Sequence, residues 1–380
     1  MITNTWLIWG FIVGWAGLSI WLANNTKWGG FLGFVNMGLL GGLILSNLGV
    51  VPIKCATYTV VDNYFVPVGI VLMLFMCNLR KLGKCGPKIV GSMVIAAACI
   101  FFAGVAGGIL FDLGNERWKF VAVSVGDFVG NMQTAAGVAT SVKISSANMT
   151  FFTAATAIPW VIYSLLSYMV GKSFVPKFLT SYKDINSGMT LTAEEHAAAL
   201  EKLNSKMVSL NINETAIVFG AAVAIAAVGN WLGELTGFYS IIFYSTIGIL
   251  VANFTPIHKF VVNDYLASLI FAMYMFKTGC GAHWSKLITV PWQLFLYLIF
   301  IYIVSSALLI LVSKLIKMPW EYGLMAHMAC IGGPVSTPPL AKVYGWSDLV
   351  LPGIIIAILG QACGAYAGVL GGAIVQMLGF

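Results

Sequence analysis

The run His327-Met328-Ala329-Cys330-Ile331-Gly332-Gly333-Pro334-Val335-Ser336-Thr337-Pro338-Pro339-Leu340-Ala341 packs three prolines and two glycines into eight residues of an apolar stretch. A proline inside a helix removes a backbone donor, clashes with the preceding turn and costs about 3 kcal/mol. In hydrocarbon each freed backbone group carries a further penalty. The run therefore predicts a membrane helix that is interrupted, tolerated only where protein or a polar cavity satisfies the freed groups. About two hundred residues earlier, Val123-Ser124-Val125-Gly126-Asp127-Phe128-Val129-Gly130-Asn131-Met132-Gln133-Thr134-Ala135-Ala136-Gly137 has the same character. It is apolar at both ends and holds a carboxylate, two amides, a hydroxyl and three glycines in its middle.

The composition explains why the solvent must be lipid. Of 380 residues, 59% are hydrophobic and only 9% charged, with a mean hydropathy of +0.92. A soluble domain carries about a quarter charged residues. No collagen period, polar low-complexity tract or dense cysteine framework is present, so the chain reads as an all-α polytopic membrane protein. The 41 glycines fit closely packed membrane helices. A net charge of +7 without a clustered basic face leaves no support for nucleic-acid binding. The seven cysteines (55, 77, 85, 99, 280, 330 and 363) include no CxxC pair and read as small buried hydrophobes. The first apolar run lacks a basic leader segment and leads straight into another span, so it is expected to stay in the membrane.

A span needs roughly 20 apolar residues. By that measure candidate spans fall at 6–22, 31–50, 63–79, 89–111, 119–142 and 151–170, then at 214–231, 239–253, 261–279, 292–316, 321–343 and 349–378. The count is about twelve. Residues 1–171 and 212–380 form two transmembrane repeats, and 172–211 form a polar linker. In that linker Thr192 can cap a short amphipathic helix running to Lys206, with Glu194 and Glu195 near its positive end.

The halves echo each other. Asn47, Pro52-Ile53-Lys54 and Val60-Val61-Asp62-Asn63-Tyr64 are followed in the second half by Asn253, Pro256-Ile257-His258-Lys259 and Val261-Val262-Asn263-Asp264-Tyr265. Gly130 corresponds to Gly332. Duplication of this kind is the pattern of secondary transporters. Arg80, Lys81, Lys84 and Lys88 form the densest short basic loop and should be cytoplasmic. Six full spans per half would make the repeats parallel; a miscounted or membrane-dipping segment would invert them.

Helix interruptions suit a transport site. Half-helix N-termini offer N–H groups to an anion, and unwound carbonyls offer oxygens to a cation. The expected substrate-binding set is Gly130, Asn131, Gln133, Thr134, Gly332, Gly333, Ser336 and Thr337. The expected ion-binding set is Asp127, Asn131, Thr134, Ser336 and Thr337, with sodium or a proton as coupling ion and no other metal or cofactor. An ionised Asp127 near the bilayer centre costs at least ~2.5 kcal/mol, so it should be paired, solvated or protonated. Lys143, sixteen residues on, reads as an end anchor. Asp62-Asn63 and Asn263-Asp264 read as helix caps, His327 as a neutral histidine bonded to a carbonyl or a titrating gate, and Asn36 and Gln361 as interhelical glue. His283 and Cys280 lack zinc-ligand spacing.

Ile331 through Gly332-Gly333-Pro334, Ser336-Thr337-Pro338-Pro339, Gly345-Trp346, Leu351-Pro352-Gly353, Gly360 and Gly364-Ala365-Tyr366 resemble the YjcL-like membrane family, catalogued as domain of unknown function 819. In the first half that family usually carries Ala-Asn-Met, where this chain has Gly130-Asn131-Met132. The resemblance implies the cation/proton antiporter and anion transporter superfamily. That in turn implies a panel and a core domain, two crossing discontinuous helices, inverted repeats, elevator-like movement and often a homodimer.

Three function classes fit these features. The first is an ion-coupled transporter of a small polar or anionic solute in the cell membrane, with sodium favoured over protons. The second is a sodium/proton antiporter without an organic substrate, relying on Asp127. The third, an intramembrane aspartyl protease, would use Ser124-Val125-Gly126-Asp127 but needs a second facing aspartate. Asp62 and Asp264 stand in the wrong context for that, and no serine elbow or HExxH occurs, so no enzyme activity is expected. A passive channel fits two asymmetric interruptions less well.

Overall fold

The computed structural model describes residues 2–173, 179, 181–184, 188–192, 194–195, 211–283 and 292–380. Among the described residues all regular elements are helical. Six of them are long and apolar enough to cross a membrane: Thr5–Asn25, Ala56–Lys84, Pro87–Leu110, Ile212–Thr236, Gln293–Leu315 and Ser347–Met377. Each overlaps an apolar run read from the sequence. Gly33–Asn47 and Ser240–Phe254 are shorter apolar helices. Many large side chains point outward, among them Trp6, Phe102, Ile303 and Leu311. Such a surface suits lipid. The amphipathic helix expected after Thr192 lies mostly outside the described residues, but its start is visible. Thr192 Oγ1 accepts from Glu195 N at 3.2 Å while Thr192 N donates to Glu195 Oε2 at 3.0 Å, a reciprocal cap.

The structure departs from the sequence reading at residues 117–141. These were expected to run through the bilayer as one interrupted rod. Instead the helix Arg117–Gly130 ends at Asn131, and the helix Met132–Ser141 returns alongside it. Lys119 Nζ donates to the carbonyl of Lys143 at 3.0 Å, and Ser145 N donates to Glu116 at 3.2 Å. A Cβ added to Gly126 would lie 3.0 Å from Val138. Pairs twelve, twenty-four and twenty-nine residues apart can meet this way only in an antiparallel hairpin. Arms of 14 and 10 residues reach about 21 and 15 Å at 1.5 Å per residue, short of the roughly 30 Å hydrocarbon thickness.

The helix Trp320–Tyr344 does the same. Its one non-helical residue, Gly333, has φ 66° and ψ −164°. The rings of Trp320 and Tyr344 stand 5.9 Å apart, edge to face, although 24 residues separate them. The hydroxyl of Ser336 also reaches back to the carbonyl of Met328 at 3.1 Å. Neither hairpin is among the six helices apolar enough to cross. The positive φ at each tip reverses the chain, where a proline alone would only bend it.

Three prolines do not shatter the second hairpin, because the reversal places them in the returning arm. Pro334 directly follows Gly333, where a helix start needs no N–H. Pro338 leaves the carbonyl of Pro334 without its usual donor, and the Thr337 hydroxyl stands 3.5 Å from that oxygen.

The helix Val350–Met377 packs along the first hairpin through glycines four residues apart. Cβ atoms added at Gly364, Gly368 and Gly372 would lie 2.7 Å from Gly130 Cα, 2.6 Å from the Ala122 carbonyl and 2.7 Å from Ala122 Cβ. Only residues without side chains permit that approach, and small-residue spacing of this kind is how membrane helices close on each other.

Candidate functional site

The two hairpin tips meet. A Cβ on Gly333 would lie 2.7 Å from Asn131 Nδ2, so the asparagine amide rests against the bare backbone of the opposite tip. Asn131 itself has φ 87° and ψ 173°, a region otherwise essentially glycine's, so its side chain is held there against backbone strain. Its Oδ1 accepts from Gln133 N at 2.9 Å and from Thr134 N at 3.3 Å. The side chain thus caps the returning arm. Amides expected to meet an anion at this tip are already occupied by their own chain.

The terminal helix touches both tips. Thr134 is buried and its hydroxyl lies 3.1 Å from the Gly130 carbonyl and 3.5 Å from that of Gln361. Thr337 is fully buried, and a Cβ on Gly353 would lie 3.1 Å from its Cβ. Gly360 stands where a Cβ would meet the Val129 carbonyl at 2.8 Å and Cys330 Cα at 3.8 Å. The Ser336 hydroxyl serves carbonyls, reaching those of Gly333 at 2.9 Å and Met328 at 3.1 Å. Gly332 and Gln133 are half-buried beside the tips.

Asp127 is 7% exposed and lies one helical turn before the first tip, its backbone carbonyl accepting from Asn131 N at 2.6 Å. Among the described residues its carboxyl has no hydrogen-bond or ion-pair partner. Gln361 supplies a second clue. It is buried, and among the described residues its Oε1 has no hydrogen-bond partner, while its backbone carbonyl lies 3.5 Å from the Thr134 hydroxyl.

Other expectations change. Asp62 does not cap a helix. It lies inside a π-helical turn, Val61–Phe65, and both carboxylate oxygens accept from Lys277 Nζ at 2.8 Å. Asn263 is buried and donates to the carbonyls of Ile257 and Phe260, each at 2.8 Å; a side chain turned back to serve carbonyls cannot cap amides ahead of it. His327 is bonded to hydroxyls on both ring nitrogens, Tyr163 at Nδ1 and Ser305 at Nε2, as a neutral imidazole can be. Sequence reasoning missed Lys277. Its signal was present: a lone lysine inside an apolar run is a functional candidate by default.

Outside the spans, Glu116 ties the base of the first hairpin. It accepts from Lys119 Nζ at 3.0 Å, from Ser145 N at 3.2 Å and from Asn148 Nδ2. Partial burial opposes its charge, but these donors outweigh it and hold the carboxyl below its ordinary value.

The family model described as "Protein of unknown function (DUF819)" matches residues 10–378. The chain is also similar to a Bacillus subtilis (strain 168) protein described as "Uncharacterized membrane protein YjcL". The two are 25% identical over 389 residues, covering 96% of this chain and 95% of that protein.

Proposed function

This chain belongs to the DUF819 family of membrane proteins, and we propose that it is an ion-coupled secondary transporter of a small polar or anionic organic solute. One observation carries the reading: two reversed-backbone tips from distant parts of the chain abut at Asn131 and Gly333, one turn from a buried carboxylate without a partner among the described residues. Non-helical backbone at membrane depth is tolerated where it is buried in protein or lines a cavity, and in transporters it forms the binding site.

A two-repeat architecture is supported by a reciprocal exchange. Asn47 Nδ2 donates to the Leu43 carbonyl at 2.8 Å and across to the Ala282 carbonyl at 2.9 Å. Asn253 Nδ2 donates to the Ile249 carbonyl at 2.8 Å and across to the Cys77 carbonyl at 3.0 Å. Equivalent positions trading equivalent bonds is the mark of a pseudo-two-fold relation. Removing one re-entrant hairpin from six apolar segments leaves five crossings per half. An odd number inverts the second repeat. We place the two hairpins and the terminal helix in a moving core, the remaining helices in a panel, and the protein as a homodimer in the plasma membrane.

Sodium is the favoured coupling ion. Carbonyl, hydroxyl, amide and carboxylate oxygens are hard-cation ligands, and Asp127, Thr134, Gln361 and the tip carbonyls provide all four. Uptake into proteoliposomes under an imposed sodium gradient, across organic acids and amino acids, tests the proposal. Accumulation of one solute that needs sodium and is lost in Asp127→Asn is expected; no accumulation of any solute would overturn it. The solitary carboxylate at the tips also fits a sodium/proton antiporter. Sodium-driven proton movement abolished by Asp127→Asn, with no solute uptake, would favour that second reading.

A further inference from the structure

The base of the first hairpin holds a cavity that the tip-centred reading does not use. Its volume is about 230 Å³, and its polar lining includes Asp62, Thr140, Lys143, Ser146, Tyr274 and Lys277. From Asn131 to Thr140 the returning arm rises roughly 13 Å at 1.5 Å per residue, so the cavity is a place apart from the tips. Lys277 is buried and spends its charge on both oxygens of Asp62. Lys143 is exposed, and among the described residues no carboxylate pairs with it. The nearby Glu116 is engaged by Lys119, Ser145 and Asn148. Two ammonium groups against one carboxylate leave an excess of one positive charge in the lining. The negative end of Met132–Ser141 and the positive start of Ser146–Ser173 both border the cavity and oppose each other.

The position of Lys143 strengthens the case. It has φ 54° at the residue after the helix cap, where Lys143 N reaches the Thr140 carbonyl at 3.3 Å and Ile144 N the Ala139 carbonyl at 3.1 Å. Glycine is the usual residue in this closing turn, since a side chain there is strained. The turn sets Lys143 in the lining of the positively charged cavity.

We propose that this cavity binds the carboxylate of a small organic anion between Lys143 and Lys277, as a loading site for the solute that the tips carry. The cavity is smaller than pockets for drug-sized ligands, which restricts the solute to a few carbons. The assignment to loading rests on the transport reading; the binding itself does not.

Malonate is the probe. Thermal unfolding of the purified full chain in detergent should shift upward saturably with sodium malonate, measured against sodium chloride at matched ionic strength. Lys143→Gly relaxes the backbone, so this variant should unfold no earlier than the parent without malonate, yet its half-saturating malonate should rise about tenfold or more. Lys143→Arg should retain the response. A parent that responds equally to chloride, or a Lys143→Gly variant that titrates like the parent, overturns the proposal. Malonate binding without uptake of any solute would remove the transport reading and leave the site standing.

Discussion

At Asn131 the chain reverses through a residue whose own amide repairs the turn, whereas at Gly333 it reverses through a residue with nothing to contribute. The first tip satisfies donors: Asn131 Oδ1 takes the N–H groups of Gln133 and Thr134. The second satisfies acceptors: the Ser336 hydroxyl turns to the carbonyls of Gly333 and Met328, and Pro334 has no N–H to satisfy. The tips are related in place and opposite in chemistry. What the first leaves open is oxygen, including the Asp127 carboxyl, which is the ground for the cation proposed above.

The bases differ as well. The first is clasped by Glu116, Lys119 and Lys143 beside a polar cavity. The second is closed by stacked rings, with Tyr344 and Trp346 4.5 Å apart and Trp320 edge-on to both. Its buried Glu321 accepts from Ser181 Oγ at 2.7 Å and Tyr182 N at 3.1 Å. One hairpin has a polar-lined cavity at its foot, and the other has packed rings there.

The most damaging test of this contrast is Gly333→Ala. A side chain at φ 66° and ψ −164° enters a region that is essentially glycine's alone, at about 1–3 kcal/mol. Its Cβ would also stand 2.7 Å from Asn131 Nδ2, so the Asn131 amide must swing away. Thermal unfolding should move down by at least that amount and transport should vanish. A variant that unfolds like the parent would show that the tips do not touch.

Substitutions at Asn131 sharpen the comparison, because they separate conformation from capping. Asn131→Gly loses the cap, at a few tenths of a kcal/mol for glycine, and relieves the strain of φ 87°, while Asn131→Ala keeps the strain and loses the cap, at about 1 kcal/mol. Asn131→Gly should therefore unfold no earlier than the parent, and Asn131→Ala earlier than both. If glycine and alanine prove equivalent, the positive φ at this tip carries no strain. Ser336→Ala should be milder still, about 1 kcal/mol for one hydroxyl that bonds carbonyls, and conservative replacement by threonine should recover most of it.

Much of this was legible in the chain, and the remainder was hidden for identifiable reasons. Apolar runs announced helices because lipid leaves few alternatives, and the glycine–proline cluster at 332–339 announced a backbone that could not run straight. That it turned back was not legible. A proline predicts a bend, but reversal depends on the sign of φ at Asn131 and Gly333 and on contacts such as Lys119 with Lys143. The Lys277–Asp62 pair was equally concealed, since 215 residues separate its members and Asp62 sits beside residues that look like a cap. Gln361 resembled packing because its open Oε1 is visible only once its neighbours are in place.

Glu116 gives the smallest effect and the clearest sign. Its carboxyl, held below the ordinary value of 4.5 by Lys119, Ser145 and Asn148, ties the entry of the first hairpin to its exit. A group whose folded value is depressed contributes stability that is fully present above the unfolded value and is lost as pH falls through the folded one. The clasp should therefore hold at neutral pH and loosen on acidification below about pH 4.5. Hydrogen exchange of residues 117–119 and 143–148 at two pH values, corrected for intrinsic rates, reads this directly. Protection there should fall at the lower pH, and Glu116→Gln should show the reduced protection at both. Equal, pH-independent protection in parent and variant would mean that the first hairpin is held by its glycine contacts with Val350–Met377 alone.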